Sequence, residues 1–148
     1  MLQTLSKKDI KELNEKIKVY NLEISTKERV QRINNIIIQN NVPLFFELDN
    51  KIIPTLKNNS LTFPKVYIDR GAILFIVKGA DLMKPGIVSN EEFKKNDLVF
   101  IADSEHKKNL ALGIALFDSA ELKEIEKGKV VKNIHFVGDA IWNFALNK

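Results

Sequence analysis

The chain has 148 residues, 45% hydrophobic and 28% charged, with 23 basic and 19 acidic side chains giving a net charge of +4. That length and composition suffice to bury a core, as one ordinary domain or two small ones, without a covalent or metal staple. There is no cysteine, which excludes thiol nucleophiles, disulfides and Cys-ligated zinc.

The amino-terminal residues turn polar before any signal-peptide core can form. The longest apolar run, residues 72–77, falls far short of the roughly 20 residues that cross a bilayer. These features predict a soluble, cytoplasmic protein with no membrane association. In chain order, Ser6 with Asp9 three residues later is a capping-box-like helix start. Ile10, Leu13, Ile17 and Tyr20 follow at helical spacing as one apolar stripe. Residues 27–33 suggest a strand with a charged outer face. Residues 36–38 and 42–46 suggest two more, joined at Asn40-Asn41, because asparagine tolerates the left-handed backbone of a tight hairpin. Alternation along the second of these would bury one of Phe45 and Phe46 and expose the other, making the exposed ring a candidate for protein docking. Asp49-Asn50-Lys51 marks a further turn before Ile52-Ile53.

All six glycines lie at Gly71 or beyond, and the polar stretch 57–64 ends in proline. This places a domain boundary there, with residues 1–63 as an α+β domain and residues 64–148 as a second, mainly-β domain. In the second domain, residues 65–68 form a short strand. Residues 69–77 suit either a buried helix or a strand; Asp69 as an N-cap and Gly79 beyond the end favour the helix. Residues 98–102 and 110–117 read as strands around a charged loop, 103–109. Ser119 opens a helical turn that stops near Gly128, and residues 129–137 form a closing strand. Many short strands with glycine-marked turns argue for a small barrel.

Val66-Tyr67-Ile68-Asp69-Arg70-Gly71-Ala72, followed by Lys78-Gly79-Ala80-Asp81-Leu82-Met83-Lys84-Pro85-Gly86-Ile87, resembles the opening of a PUA domain. Asn96-Asp97-Leu98-Val99-Phe100-Ile101, Leu112-Gly113-Ile114-Ala115 and the segment from Gly128 to Asp139 with Trp142 resemble its later strands, in order. The closing pattern, with Gly128-Lys129, Val131, His135-Phe136-Val137-Gly138-Asp139 and Ile141-Trp142, is similar to archaeal relatives of the malignant T-cell-amplified-sequence and ligatin proteins. Pro43-Leu44-Phe45-Phe46-Glu47 and Ile53-Pro54-Thr55-Leu56 extend the likeness to their small amino-terminal domain. The resemblance implies a PUA pseudo-barrel behind an α+β domain. It implies RNA, either tRNA or rRNA, as partner, with work at the small ribosomal subunit and the tRNA acceptor end in initiation or recycling. Eukaryotic relatives work with a second protein or carry extra domains, so a separate translation-factor subunit is a further expected partner.

Carried onto this chain, the RNA groove of the family implies Arg70, Lys78, Gly79, Ala80, Asp81, Met83, Lys84, Pro85 and Gly86, with Lys132 and His135 across from them. Glycines at 79 and 86 would let a bound strand approach the backbone, and Lys78 and Lys84 would contact phosphate. His106 and Lys107-Lys108 read as a solvated loop, and Trp142 as a packing residue. Two histidines without a carboxylate at ligand spacing predict no metal, and no cofactor motif is present. Phosphate-loop, dinucleotide and nucleophile-elbow motifs are absent, so the expectation is not an enzyme. Two other readings remain: a protein-interaction adaptor, and a targeting subunit for a separately encoded RNA-modifying enzyme. Residues 1–64 carry ten basic and seven acidic side chains and residues 65–148 thirteen and twelve. A nearly neutral second half favours a shaped local site over broad electrostatic binding.

Overall fold

In the computed structural model, which describes residues 1–144, helix α1 (Lys7–Ile17) starts at the expected capping box. The Ser6 hydroxyl accepts the Asp9 N–H at 3.1 Å and the Asp9 carboxylate accepts the Ser6 N–H at 3.0 Å. These two bonds satisfy amides that the first turn leaves without helical partners. They also hold the Asp9 carboxyl below the usual carboxylate range. The stripe Ile10, Leu13 and Ile17 is buried against Val30, Ile37, Phe45 and Ile52. Burying a side chain of this kind is worth about 1.5–3 kcal/mol, which holds so short a helix in place.

The sheet under α1 is antiparallel throughout, in the order of its strands: β1 (Gln3–Thr4), β2 (Val30–Ile33), β3 (Ile36–Gln39), β4 (Val42–Leu48) and β5 (Lys51–Pro54). Two-residue turns set its register. Asn40 and Asn41 have φ of 53° and 66°, and Asp49 and Asn50 have 50° and 64°, the left-handed pair that such hairpins require. The strand expected over 27–33 is shorter, because residues 27–29 belong to the turn before it.

Phe45 and Phe46 correct the sequence reading. Both are buried, each only 2% exposed, so neither offers a ring for docking a partner. Phe45 sits in the core with α1, while Phe46 shares the opposite face with Gln31, Ile36, Ile38 and Ile53, which are buried as well. Alternation exposes every second residue only when one face of the sheet is wet. In β4 a bulge also sets Ile37 opposite Phe45 but Ile38 opposite Pro43, leaving Leu44 as the extra residue.

The chain divides into two units, residues 1–61 with residues 140–144, and Thr62–Asp139. Residues 145–148, included in the expected second domain, lie outside the described residues. In the first unit the Lys57 ammonium stands 4.9 Å from the centre of the Trp142 ring, a cation–π contact. Arg32 bonds Glu47 across the sheet and holds the Glu47 carboxyl below its ordinary range.

The second unit is a curled six-stranded sheet with strand order β7-β11-β10-β9-β6-β8. Its strands are β6 (Lys65–Ile68), β7 (Leu82–Met83), β8 (Ile87–Asn90), β9 (Leu98–Asp103), β10 (Asn109–Ala115) and β11 (Lys129–Phe136), with helix α2 (Arg70–Ile76) between β6 and β7. Only the β6–β9 pair is parallel. Val66, Ile68, Val99, Ile101, Ala111 and Val131, all fully buried, centre its core. This is the α+β unit followed by the mainly-β PUA pseudo-barrel that the motifs imply. Among the described residues, no helix is long and apolar enough to cross a membrane.

Strands β10 and β11 leave no room for a side chain at Gly113, where a Cβ would stand 2.4 Å from the Val131 methyl and 2.8 Å from the Lys132 carbonyl oxygen. Gly113→Ala is expected to cost about 1–3 kcal/mol by overpacking, measured by urea unfolding. Glu47 supplies a second test. Its contribution to stability is present above the ordinary carboxylate range and is lost as pH falls through its depressed folded value. Glu47→Gln is therefore expected to weaken the acid limb of a stability–pH profile while lowering stability at neutral pH.

Candidate functional site

Helix α2 is short and apolar, and its two ends are fixed in different ways. At the start, the Asp69 carboxylate accepts the Ala72 N–H at 2.9 Å. At the end, the chain turns through Gly79 at φ 97°, where a Cβ would also meet the Phe136 ring at 3.1 Å. Asn133 on β11 then ties this turn to the sheet. Its side-chain amide donates to the carbonyls of Ile76 and Ala80, each at 3.0 Å, and its backbone N–H donates to Asp81 Oδ1 at 2.9 Å. Asp81 Oδ2 lies 3.1 Å from Lys129 Nζ. Strand β7 pairs Leu82 with Val131 and Met83 with Lys129. A 3-10 turn at Lys84–Gly86 closes the loop, with the Asp69 N–H bonded to the Gly86 carbonyl at 3.0 Å.

These elements enclose an open groove of about 690 Å³, within the range of ligand sites. Its walls are mainly apolar: Ala72, Phe75, Ile76, Ala80, Leu82, Met83 and Pro85, with Gly71, Gly79 and Gly86. Asp69, Asp81 and Lys129 are its charged lining residues. Phe75 is 67% exposed, and Leu74 on the same helix is 65% exposed.

Six of the residues implied by the family likeness line this groove: Gly79, Ala80, Asp81, Met83, Pro85 and Gly86. The others lie elsewhere. Arg70 is turned to the 103–109 loop, where its guanidinium meets both Glu105 oxygens at 3.0 Å. In that loop, Lys107 stands 4.5 Å over the Tyr67 ring, and the Glu105 N–H holds the Asp103 carboxyl below its ordinary range. The Lys84 ammonium is not presented to the groove; it donates to the Ile125 carbonyl at 2.8 Å. Lys78 and Lys132 are exposed but are not lining residues.

His135 is the clearest correction. It is fully buried, and its Nδ1 lies 2.7 Å from Asp139 Oδ2, which also accepts the Phe136 N–H at 3.0 Å. It secures the turn after β11 and has no face open to a base or phosphate. Among the described residues, no three His, Asp or Glu side chains cluster as a metal site would require.

The sequence reading missed Phe75 and Lys129. Both had a signal. A helix whose seven residues run Arg-Gly-Ala-Ile-Leu-Phe-Ile is more apolar than one buried stripe needs, so part of it must face out. Lys129 follows the glycine that opens β11 and pairs with Met83, a neighbour that only the strand register reveals.

Comparison with known proteins matches the PUA domain over residues 64–137 and a domain of unknown function (DUF1947) over residues 3–58. An uncharacterised protein of Methanocaldococcus jannaschii is 42% identical, across 95% of this chain and 94% of its own length. Translation machinery-associated protein 20 of Eremothecium gossypii is 38% identical over 70% of this chain and 62% of its own. Malignant T-cell-amplified sequence 2 of Mus musculus is 29% identical over 71% of this chain and, again, 62% of its own. The match thus spans less than two thirds of these eukaryotic relatives. A PUA-domain structure from Aeropyrum pernix K1, solved as a tartrate complex, superimposes with a TM-score of 0.78 at 32% identity, covering 96% of this chain and 89% of that one. An H/ACA ribonucleoprotein chain, in a structure bound to a substrate RNA, gives 0.50 at 33% identity, covering 63% of this chain and 29% of that one.

The burial of His135 makes a direct prediction. His135→Ala leaves Asp139 without one buried partner and is expected to cost about 1–3 kcal/mol in denaturant unfolding. Lys132→Glu, at an exposed position, is expected to change stability by no more than about 0.5 kcal/mol.

Proposed function

The chain belongs to the family of PUA-domain proteins that includes translation machinery-associated protein 20 and malignant T-cell-amplified sequence 2, and we propose from that premise that it binds RNA through the groove of its second unit in the service of translation. The observation that carries this reading is the groove itself. It is a preformed apolar cleft whose lining includes the segment from Gly79 to Gly86, where the family motifs point. Backbone at Gly79 and Gly86 brings peptide groups close to whatever occupies it, and peptide N–H groups can bond base edges or phosphate.

At the finer level, the ligand is the unpaired acceptor end of tRNA, presented at the small ribosomal subunit during initiation or recycling. The action is to bind, orient and release, with no bond made or broken. The names of the translation-associated relatives support the setting, and the likeness to a chain of a ribonucleoprotein bound to a substrate RNA supports the ligand class. That last likeness also favours one alternative, an RNA-targeting subunit for a separately encoded modifying enzyme, which would copurify as a stable complex with that enzyme. The adaptor reading has lost its basis in exposed rings at Phe45 and Phe46.

The test is binding of labelled tRNA, with and without its 3′ acceptor end. Met83, 46% exposed in the groove, tolerates a charge without disturbing the core. Met83→Glu is expected to weaken binding at least about tenfold, and removal of the acceptor end to do the same to wild type. Negligible binding of tRNA by wild type contradicts the reading.

A further inference from the structure

We infer that the groove seats a single unpaired RNA base against the exposed face of Phe75 and that Lys129, positioned by Asp81, contacts the adjoining phosphate. The inference rests on the reading of the groove as the RNA site and names the chemical class it takes. An exposed phenylalanine on the wall of an apolar cleft leaves a large π-face in water. A flat aromatic ligand covers such a face at little conformational cost, and every nucleobase presents one, but only when it is unpaired and unstacked.

The charges point the same way. A groove that tracks a duplex backbone needs a row of cations. Here Arg70 is engaged by Glu105 and Lys84 by the Ile125 carbonyl. Among the charged lining residues Lys129 is the one cation beside two carboxylates, Asp69 and Asp81. Lys129 is held at 3.1 Å from Asp81, while its side chain stays 63% exposed. An ammonium has three donors, so this bond fixes the head and leaves hydrogens for a phosphate. Asp81 is fixed in turn by the Asn133 N–H. The arrangement suits one base and one phosphate, and it predicts binding with a shallow salt dependence.

The experiment uses the whole chain and a labelled, unpaired RNA oligonucleotide of random sequence, with fluorescence anisotropy across a salt series. Phe75→Leu keeps an apolar side chain but removes the π-face, and is expected to bind about 5- to 150-fold more weakly. Phe75→Tyr keeps the ring and is expected to bind within about twofold of wild type. Lys129→Gln is expected to flatten the slope of log K against log salt by about 0.7, the share of one phosphate on a single strand. Thermal unfolding checks that the variants remain folded, as exposed positions should. Wild-type binding that Phe75→Leu retains, or an unchanged slope for Lys129→Gln, overturns this inference alone, and equal affinity for a perfect duplex overturns the acceptor-end reading with it. No binding of any RNA by wild type removes the reading beneath it as well.

Discussion

The groove depends on Asn133. One side chain and one backbone amide on a closing strand bind the last carbonyl of α2, the Ala80 carbonyl beyond the Gly79 turn and the carboxylate of Asp81. Helix termini leave carbonyls without intrahelical partners, and Asn133 supplies donors to that end of α2 from a strand more than fifty residues away in sequence. Without it, the helix end would keep only local hydrogen bonds, and Asp81 only its contact with Lys129. With it, one wall of the groove is joined to β11, which lies close against β10 at Gly113, beside a shift in their register. The site is therefore built on the sheet rather than on a free loop, and such sites are held most firmly.

The composition of the groove limits what it can do. Its lining is apolar, it has few charged groups, and of the neighbouring cations Arg70 and Lys84 have protein acceptors. A site of this kind gains its affinity from covering apolar surface and from a small number of placed hydrogen bonds, not from a dense field of charge. The near balance of charge in residues 65–148 agrees with that. On the proposed reading, selectivity comes from shape and from the availability of an unstacked base. The same reading has duplex RNA rejected, because its base faces are already covered. The first unit, with both faces of its sheet buried, offers no comparable cleft of apolar character among the described cavities.

Local features of the fold were legible in the sequence because their causes are local. The Ser6–Asp9 capping box and the Asn40-Asn41 turn each act within a few residues, and the helix over 70–76 follows from Asp69 before it and Gly79 after it. What escaped depended on distant partners. Phe45 and Phe46 were read as one in and one out, a rule that holds only when one face of a sheet is wet. Lys84 was read as a phosphate ligand, but its ammonium lies on a carbonyl 41 residues further along the chain. His135 looked like a polar strand residue across from the groove. Its burial follows from Asp139, which curls back past Gly138 to meet it. The glycines and prolines of the groove were legible because backbone conformation is written in residue type. The direction of a long side chain is not.

The most direct test of the account is amide chemical-shift mapping of the isotope-labelled chain as unpaired RNA is added. The account predicts that the largest shifts fall on α2, on residues 79–86 and on Lys129, with the 103–109 loop and residues 1–61 little changed. Shifts concentrated in the 103–109 loop or in residues 1–61, with the groove amides unmoved, would contradict it.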